Sequence, residues 1–363
     1  MLNKFSHTLS ALFILFFMGV ILLIPKVCIE GASSGLVLWA QKLLPSLLPF
    51  IILINLLCYL GIIFKLSSFL HPLTQFFFNI SGTSFLIFIT GLIAGYPMGA
   101  KLIRQLLDTR QLSSIEAQKT LCFSTNCGPL FIIGTVGTLM LKNPNLGYFL
   151  AFIHILSSFM MLLLSRFYIL PKEKVVTSLS EPSHSNTSFS QAFSLSVQNG
   201  METIINVGGY IIFFSMIINI LAHSHFFKSC IVSLSELSTC SYDTLYQVIL
   251  GSLEFSNGSA LLSHMQPFSL HHLALLCALI SFGGFCVFFQ CTYILSGTPL
   301  KLSLYLISKL LQACLTYCLV FLLYPLCYHT PPSASIYLIC LLVLCFLTAT
   351  LFRIFSYYQS PTQ

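Results

Sequence analysis

Long runs without a single Asp, Glu, Lys or Arg divide this 363-residue chain. They cover Thr8–Pro25, Leu43–Phe64, Leu66–Ala100, Asn143–Ser165, Phe255–Leu300 and Leu310–Phe352. A helix needs roughly 20 apolar residues to cross the hydrocarbon of a bilayer. Several spans therefore fit, and the last two runs are long enough for more than one each. The pattern predicts spans near Thr8–Pro25, Leu36–Leu60, Thr120–Leu141, Gly147–Ser165, Thr203–Leu221, His272–Leu295, Leu302–Leu326 and Ser335–Phe352. The first, after Lys4, reads as a signal-anchor; "GASSG" (Gly31–Gly35) behind it offers small residues for cleavage, but so many spans follow that a retained anchor suffices.

Within the apolar runs some residues are poor helix formers. The stretch "GLIAGYPMGAKLI" (Gly91–Ile103) holds Gly91, Gly95, Pro97 and Gly99 where an unbroken helix would be expected. Further breaks are expected at "NCGP" (Asn126–Pro129), "EFSNG" (Glu254–Gly258) and "FGG" (Phe282–Gly284). The breaks fall in matching places of a weak repeat. "GLIAGYPMGAKL" from Gly91 lies over "GSLEFSNGSALL" from Gly251, and "FSTNCGPLF" from Phe123 lies near "SFGGFCVFF" from Ser281. Paired, interrupted apolar segments in two halves of a chain point to the binding site of a secondary transporter. Bare backbone at membrane depth is tolerated only when buried in protein or lining a wet cavity.

The expected fold is an all-α polytopic membrane protein of about eight transmembrane helices plus two re-entrant helical hairpins. The hairpins lie near 83–107 and 243–264, and the three spans between them make the repeats inverted. The expected divisions are an N-terminal helix (1–35), a first repeat (36–170), a polar Ser- and Thr-rich linker (171–191), a second repeat (192–330) and a C-terminal helix (331–363). With the N-terminus in the cytoplasm, Lys4, Lys65, Arg110, Lys119, Arg166, Lys172, Lys174, Lys301 and Arg353 fall inside, and Lys26, Lys142 and Lys228 outside. That asymmetry follows the positive-inside rule.

Composition agrees, with 56% hydrophobic and 7% charged residues against about 25% charged in a soluble domain. The net charge of +7 comes without a basic block or a soluble domain, so nucleic acid is not an expected partner. The 14 cysteines show no Cys-x-x-Cys spacing, and His271-His272 lack the HExxH pattern, so no metal site and no cofactor are expected. No paired carboxylates or nucleophile motif appear either, and no catalytic residue or enzyme activity is expected.

Two charged residues bear on chemistry. Lys101 lies in the first turn of the half-helix after "GYPMG", where a cation disfavours the helix itself. An anion held by the ammonium and the freed amides near Gly99 would justify it; the alternative is a lysine whose head snorkels to the interface. Glu254, at the break of the second hairpin, is the only acid after Asp243. A carboxylate at membrane depth is a functional-site candidate, able to take a proton, bind a cation or pair with Lys101. Ser124, Asn126, Asn257 and Gln290 are polar groups near the breaks, suited to orient a substrate or to join helices; Glu202 is a weaker candidate.

The blocks "LWAQKLLPSLLPF", "FNISGTSF", "GLIAGYPMGAKLI", "FSTNCGPLFIIGTVG", "GSLEFSNG" and "ISFGGFCVFFQ" resemble the sporulation integral membrane protein family called YlbJ or SpoVV. The resemblance runs from about Leu36 to Leu326. It implies a nucleoside-recognition or Gate domain, similar to the hairpin-bearing repeats of concentrative nucleoside transporters. It also implies a multi-pass bacterial protein of the mother-cell-derived membrane around the forespore, passing dipicolinate. Dipicolinate is an aromatic dianion, so Lys101 and the half-helix ends suit its carboxylates and Tyr96 its ring. The stretch "EFSNG" is less Thr-rich than the resemblance leads one to expect, so no role for Ser256 follows from it. Cation-coupled uptake of a nucleoside-like substrate and a non-transporting scaffold for spore-envelope assembly stay open, as do coupling to a proton or Na+ and a homo-oligomer.

Overall fold

The computed structural model describes residues 2–167, 188–238 and 240–328. Among them every regular element is a helix. The span expected at Ser335–Phe352 and nearly all of the linker 171–191 lie outside the described residues.

The chain begins with α1 (Leu2–Leu23) and α2 (Pro25–Leu38). One π-helical stretch, Trp39–Leu43, joins α2 to α3 (Leu44–Tyr59). Pro45 explains it: the ring has no N–H for the carbonyl of Gln41 and crowds that carbonyl, and the wider π turn absorbs the misfit. The product is one 35-residue rod, Pro25–Tyr59, which starts well ahead of the expected Leu36. Gly61, at φ +70°, then turns the chain into α4 (Ile62–Phe78), an element not expected from the sequence. Asn79 in the left-handed conformation ends α4, and the chain bends by 91° into α5 (Gly82–Ala94).

After α5 come α6 (Met98–Asp108) and α7 (Ser114–Ser124). The span expected at Thr120–Leu141 is not one helix. It divides into α7, a non-helical stretch at 125–128 and a π-helix at Phe131–Met140, because Gly128 and Pro129 interrupt the ladder. Next are α8 (Pro144–Leu164) and α9 (Phe189–His223). The residues Phe189–Gln191, expected in the linker, are already helical, since Ser188 caps α9 by accepting the Gln191 N–H. The unexpected α10 (His225–Leu237) precedes α11 (Tyr242–Leu253) and α12 (Phe255–Ser263). The series closes with α13 (Leu270–Phe282), α14 (Gly284–Ile294) and α15 (Leu302–Tyr328).

Among the described residues five helical stretches are long and apolar enough to cross a membrane, and the bent α4–α5 pair is a sixth if it counts as one. Their outer surface is apolar, with Leu22, Phe69, Phe76 and Leu326 all exposed, as suits a face toward lipid tails. The interior is unusually polar: Glu254, Lys309, His154, Asn126 and Gln312 are all buried.

Small residues set the closest contacts. In "GASSG", a Cβ at Gly31 would lie 2.6 Å from Asn219 Cβ and one at Gly35 2.6 Å from Ser215 Oγ, so α2 meets α9 through this pair. The motif is thus a helix-packing seam of the small-xxx-small kind. A Cβ at Gly91 would stand 1.8 Å from the Ser124 carbonyl oxygen, which is backbone and cannot swing aside. Gly91→Ala is therefore expected to lower the thermal midpoint in detergent, by about 1–3 kcal/mol or more of stability. Gly209→Ala, with nothing within 4 Å of the new Cβ, is expected to leave it unchanged or raise it. A thiol-reactive fluorophore reads both, because Cys122, Cys127, Cys277 and Cys291 are buried until the fold opens.

Candidate functional site

Four interruptions of helix fall where the sequence places them. Gly95 ends α5 with φ +81° and ψ −175°, a backbone conformation open in practice to glycine alone. Thr125 leaves α7 in extended conformation. Glu254 alone separates α11 from α12, also extended. Gly283, at φ +79°, separates α13 from α14, whose first residue Gly284 also has a positive φ, +76°.

All four meet. A Cβ at Gly95 would lie 2.9 Å from the Gly128 nitrogen, which seats the first break on the second. The Tyr96 ring packs edge-on to Phe255 with centroids 5.7 Å apart, and Phe255 packs on Phe131 at 5.3 Å. The first two breaks thus touch the third. Tyr96 also reaches the fourth, its hydroxyl donating to the carbonyls of Ser281 (3.1 Å) and Ile280 (3.3 Å) at the end of α13. His154 of α8 joins the second and fourth breaks. Its Nε2 accepts the Cys127 N–H at 3.1 Å, and its Nδ1 lies 2.7 Å from Ser281 Oγ. A ring nitrogen that accepts an N–H carries no proton, so the ring is neutral and donates from Nδ1.

At this crossing lies a small cavity lined by Tyr96, Gly128, Glu254, Phe255, Cys286 and Gln290 among others. Val207 and Gln290 also line a larger neighbouring cavity, whose wall carries Lys101, Glu202, Asn206, Tyr210 and Tyr293. Lys101 and Asn199 in turn belong to a third, still larger space that Arg104 and Asp108 also line. The three spaces adjoin through shared residues.

Glu254 is fully buried and caps α12. Its Oε1 accepts the Ser256 N–H at 2.9 Å, and Oε2 accepts the Asn257 N–H and side-chain amide, each at 2.8 Å. Two of the helix's free N–H groups are thereby satisfied, and the anion-attracting end of α12 holds the protein's own carboxylate. Asn257 also donates to Ser215 Oγ at 2.8 Å, tying the cap to α9.

Lys101 does not pair with Glu254. Its ammonium donates to the Asn199 carbonyl at 3.2 Å and to Thr203 Oγ1. Among the described residues the sole ion pair is Arg104–Asp108, 2.7 Å apart within α6. Asn199, Thr203, Asn206 and Tyr210 recur three or four residues apart, so one face of α9 looks onto Lys101. No side chain caps α6.

The remaining expected residues divide. Tyr96 and Gln290 line the first cavity beside Glu254. Gly99 serves packing, since a Cβ there would lie 2.4 Å from the Ser124 carbonyl oxygen. Ser124 is buried, and its hydroxyl has no hydrogen-bond partner among the described residues. Asn126 lines none of these three spaces and instead donates to the Phe123 carbonyl and accepts from Ser158 Oγ (2.9 Å) and Gln312 Nε2 (3.1 Å). Lys309, His154 and Gln312 were not picked out as site residues. A lysine inside the apolar segment Leu302–Leu326 was the available signal; the partners of His154 and Gln312 are too distant in sequence to be seen.

Glu254→Ala is expected to cost about 0.5–2 kcal/mol through the lost cap. Glu254→Gln, which keeps one acceptor oxygen, is expected to cost less, and thermal unfolding of the two variants side by side checks the order.

Among curated proteins, the sporulation integral membrane protein YlbJ of Bacillus subtilis (strain 168) is 29% identical over 338 residues, covering 86% of this chain and 81% of the relative. No family model matches, and neither does any solved structure. The likeness bears out the motif-based resemblance, and with the apolar helices it makes the chain a multi-pass membrane protein.

Proposed function

We propose, for a chain similar to the sporulation integral membrane protein YlbJ, a carrier that moves a small anionic metabolite, most specifically dipicolinate, by alternating access. In this reading α5–α6 and α11–α12 are two re-entrant hairpins in inverted repeats, flanked by about eight spans, in the mother-cell-derived membrane around the forespore. The observation that carries it is the meeting of four broken helices around a cavity next to one whose wall carries Lys101, which has no carboxylate partner among the described residues. Discontinuous helices at a repeat interface are where secondary transporters bind substrate.

Charge divides the work. Because Glu254 fills the positive end of α12, an anionic substrate is directed to the uncapped start of α6 and to Lys101. Tyr210 and Tyr293 offer aromatic faces to a ring, and Asn206 and Gln290 offer polar groups to its edge. Those uncharged amides also favour a second reading, cation-coupled carriage of a nucleoside-like solute; Lys101 speaks for the anion.

Uptake of radiolabelled dipicolinate and uridine into proteoliposomes separates them. Wild type is expected to accumulate dipicolinate, and Lys101→Ala to lose about 10- to 100-fold, the worth of one hydrogen bond to a charged group. Uridine uptake alone favours the second reading. Folded wild type that moves neither solute under any imposed ion gradient overturns both and favours a scaffold.

A further inference from the structure

Lys309 of α15 is 1% exposed, in a molecule whose other described lysines mostly reach the surface or a cavity. Its ammonium donates to the Thr125 carbonyl and, at 2.6 Å, to Gln312 Oε1. The Tyr96 ring lies beneath it, 5.4 Å from Nζ to the centroid. Among the described residues no carboxylate is within ion-pair distance. A buried ammonium without a countercharge is costly unless its surroundings replace water.

The surroundings do so in a particular way. Thr125 begins the unwound stretch after α7, so its carbonyl is released from the helical ladder. The Gln312 amide is held by its other end, Nε2 donating to Ser158 Oγ at 2.9 Å and to Asn126 Oδ1 at 3.1 Å. Its oxygen is thereby aimed at Lys309. A freed carbonyl, a fixed amide oxygen and an aromatic face make a cage for a monovalent cation, and unwound carbonyls of this kind hold coupling cations in transporters.

We propose that the Lys309 ammonium is a tethered cation occupying an oxygen cage at the second helix break, in the place where a carrier of this architecture would hold a free monovalent cation. The inference rests on the carrier reading for its consequence: the cage needs no Na+ from solution, and a fixed positive charge stays beside the substrate path. The cage itself is a matter of binding and is tested without substrate.

The test compares purified wild type and Lys309→Ala by thermal unfolding in choline, sodium and methylammonium chloride at equal ionic strength. Truncation removes the ammonium and leaves the oxygens. Lys309→Ala is expected to melt lower than wild type in choline and to recover with sodium or methylammonium, in a shift that saturates with concentration. Wild type is expected to show no such saturable shift. Lys309→Leu, which fills the space with carbon, is expected to show no recovery in any salt. If Lys309→Ala folds only when purified with sodium or methylammonium, that dependence is the same positive result. A Lys309→Ala protein that behaves alike in all three salts, or folds in none, overturns the proposal. Absence of dipicolinate uptake leaves this result untouched and bears on the carrier reading alone.

Discussion

A helix broken inside an apolar solvent leaves backbone groups that only the protein can satisfy. The structure meets this demand by bringing the breaks to one another. Tyr96, in the first break, donates to the last carbonyls of α13 at the fourth. At the second break, His154 receives the Cys127 N–H and Lys309 serves the Thr125 carbonyl. Glu254 satisfies the amides of the helix it opens. Each repair brings a polar or charged side chain to the centre, and the crossing that results encloses a cavity. The interior polarity of this chain follows from its broken helices.

The placement of charge follows the same logic. The N-terminal ends of half-helices attract anions, and those of α12 and α6 are treated differently. The end of α12 is closed by Glu254, while α6 begins without a side-chain cap and carries Lys101 one turn on. Of these two, only the end of α6 is open, and it lies beside the polar face of α9. The close approaches that bring these groups together depend on missing side chains, with Gly95 against Gly128 and Gly251 against Gly258. The latter pair joins α11 to α12 as Gly91 and Gly99, both against the Ser124 carbonyl, join α5 and α6 to α7.

Much of this was legible in the sequence. Charge-free runs located most long helices, and Gly and Pro mark three of the four breaks, because those residues act through their own backbone wherever they stand; the break at Glu254 itself holds neither. Glu254 was found because a lone acid in an apolar run is conspicuous. The elements α4 and α10 were missed, since their ends depend on turn geometry at Gly61, Asn79 and Ser224 rather than on hydropathy. The "GASSG" motif was weighed as cleavage chemistry; its role as a seam depends on α9, far away in sequence. Ser124 and Asn126 were drawn toward the substrate by proximity to a break, but Asn126 turns to Ser158 and Gln312. Such choices between a cavity and a neighbouring helix are made by tertiary packing, which one chain's periodicity does not encode.

The meeting of the breaks is the claim on which the site depends, and photo-crosslinking tests it most directly. With Phe255 replaced by p-benzoylphenylalanine, irradiation of the protein in membranes and peptide mapping by mass spectrometry report what the tip of α12 touches. Attachment to peptides containing Tyr96 or Phe131 is the predicted result. Attachment confined to lipid or to neighbours within α11 and α12 would contradict it, and the shared cavity would go with it.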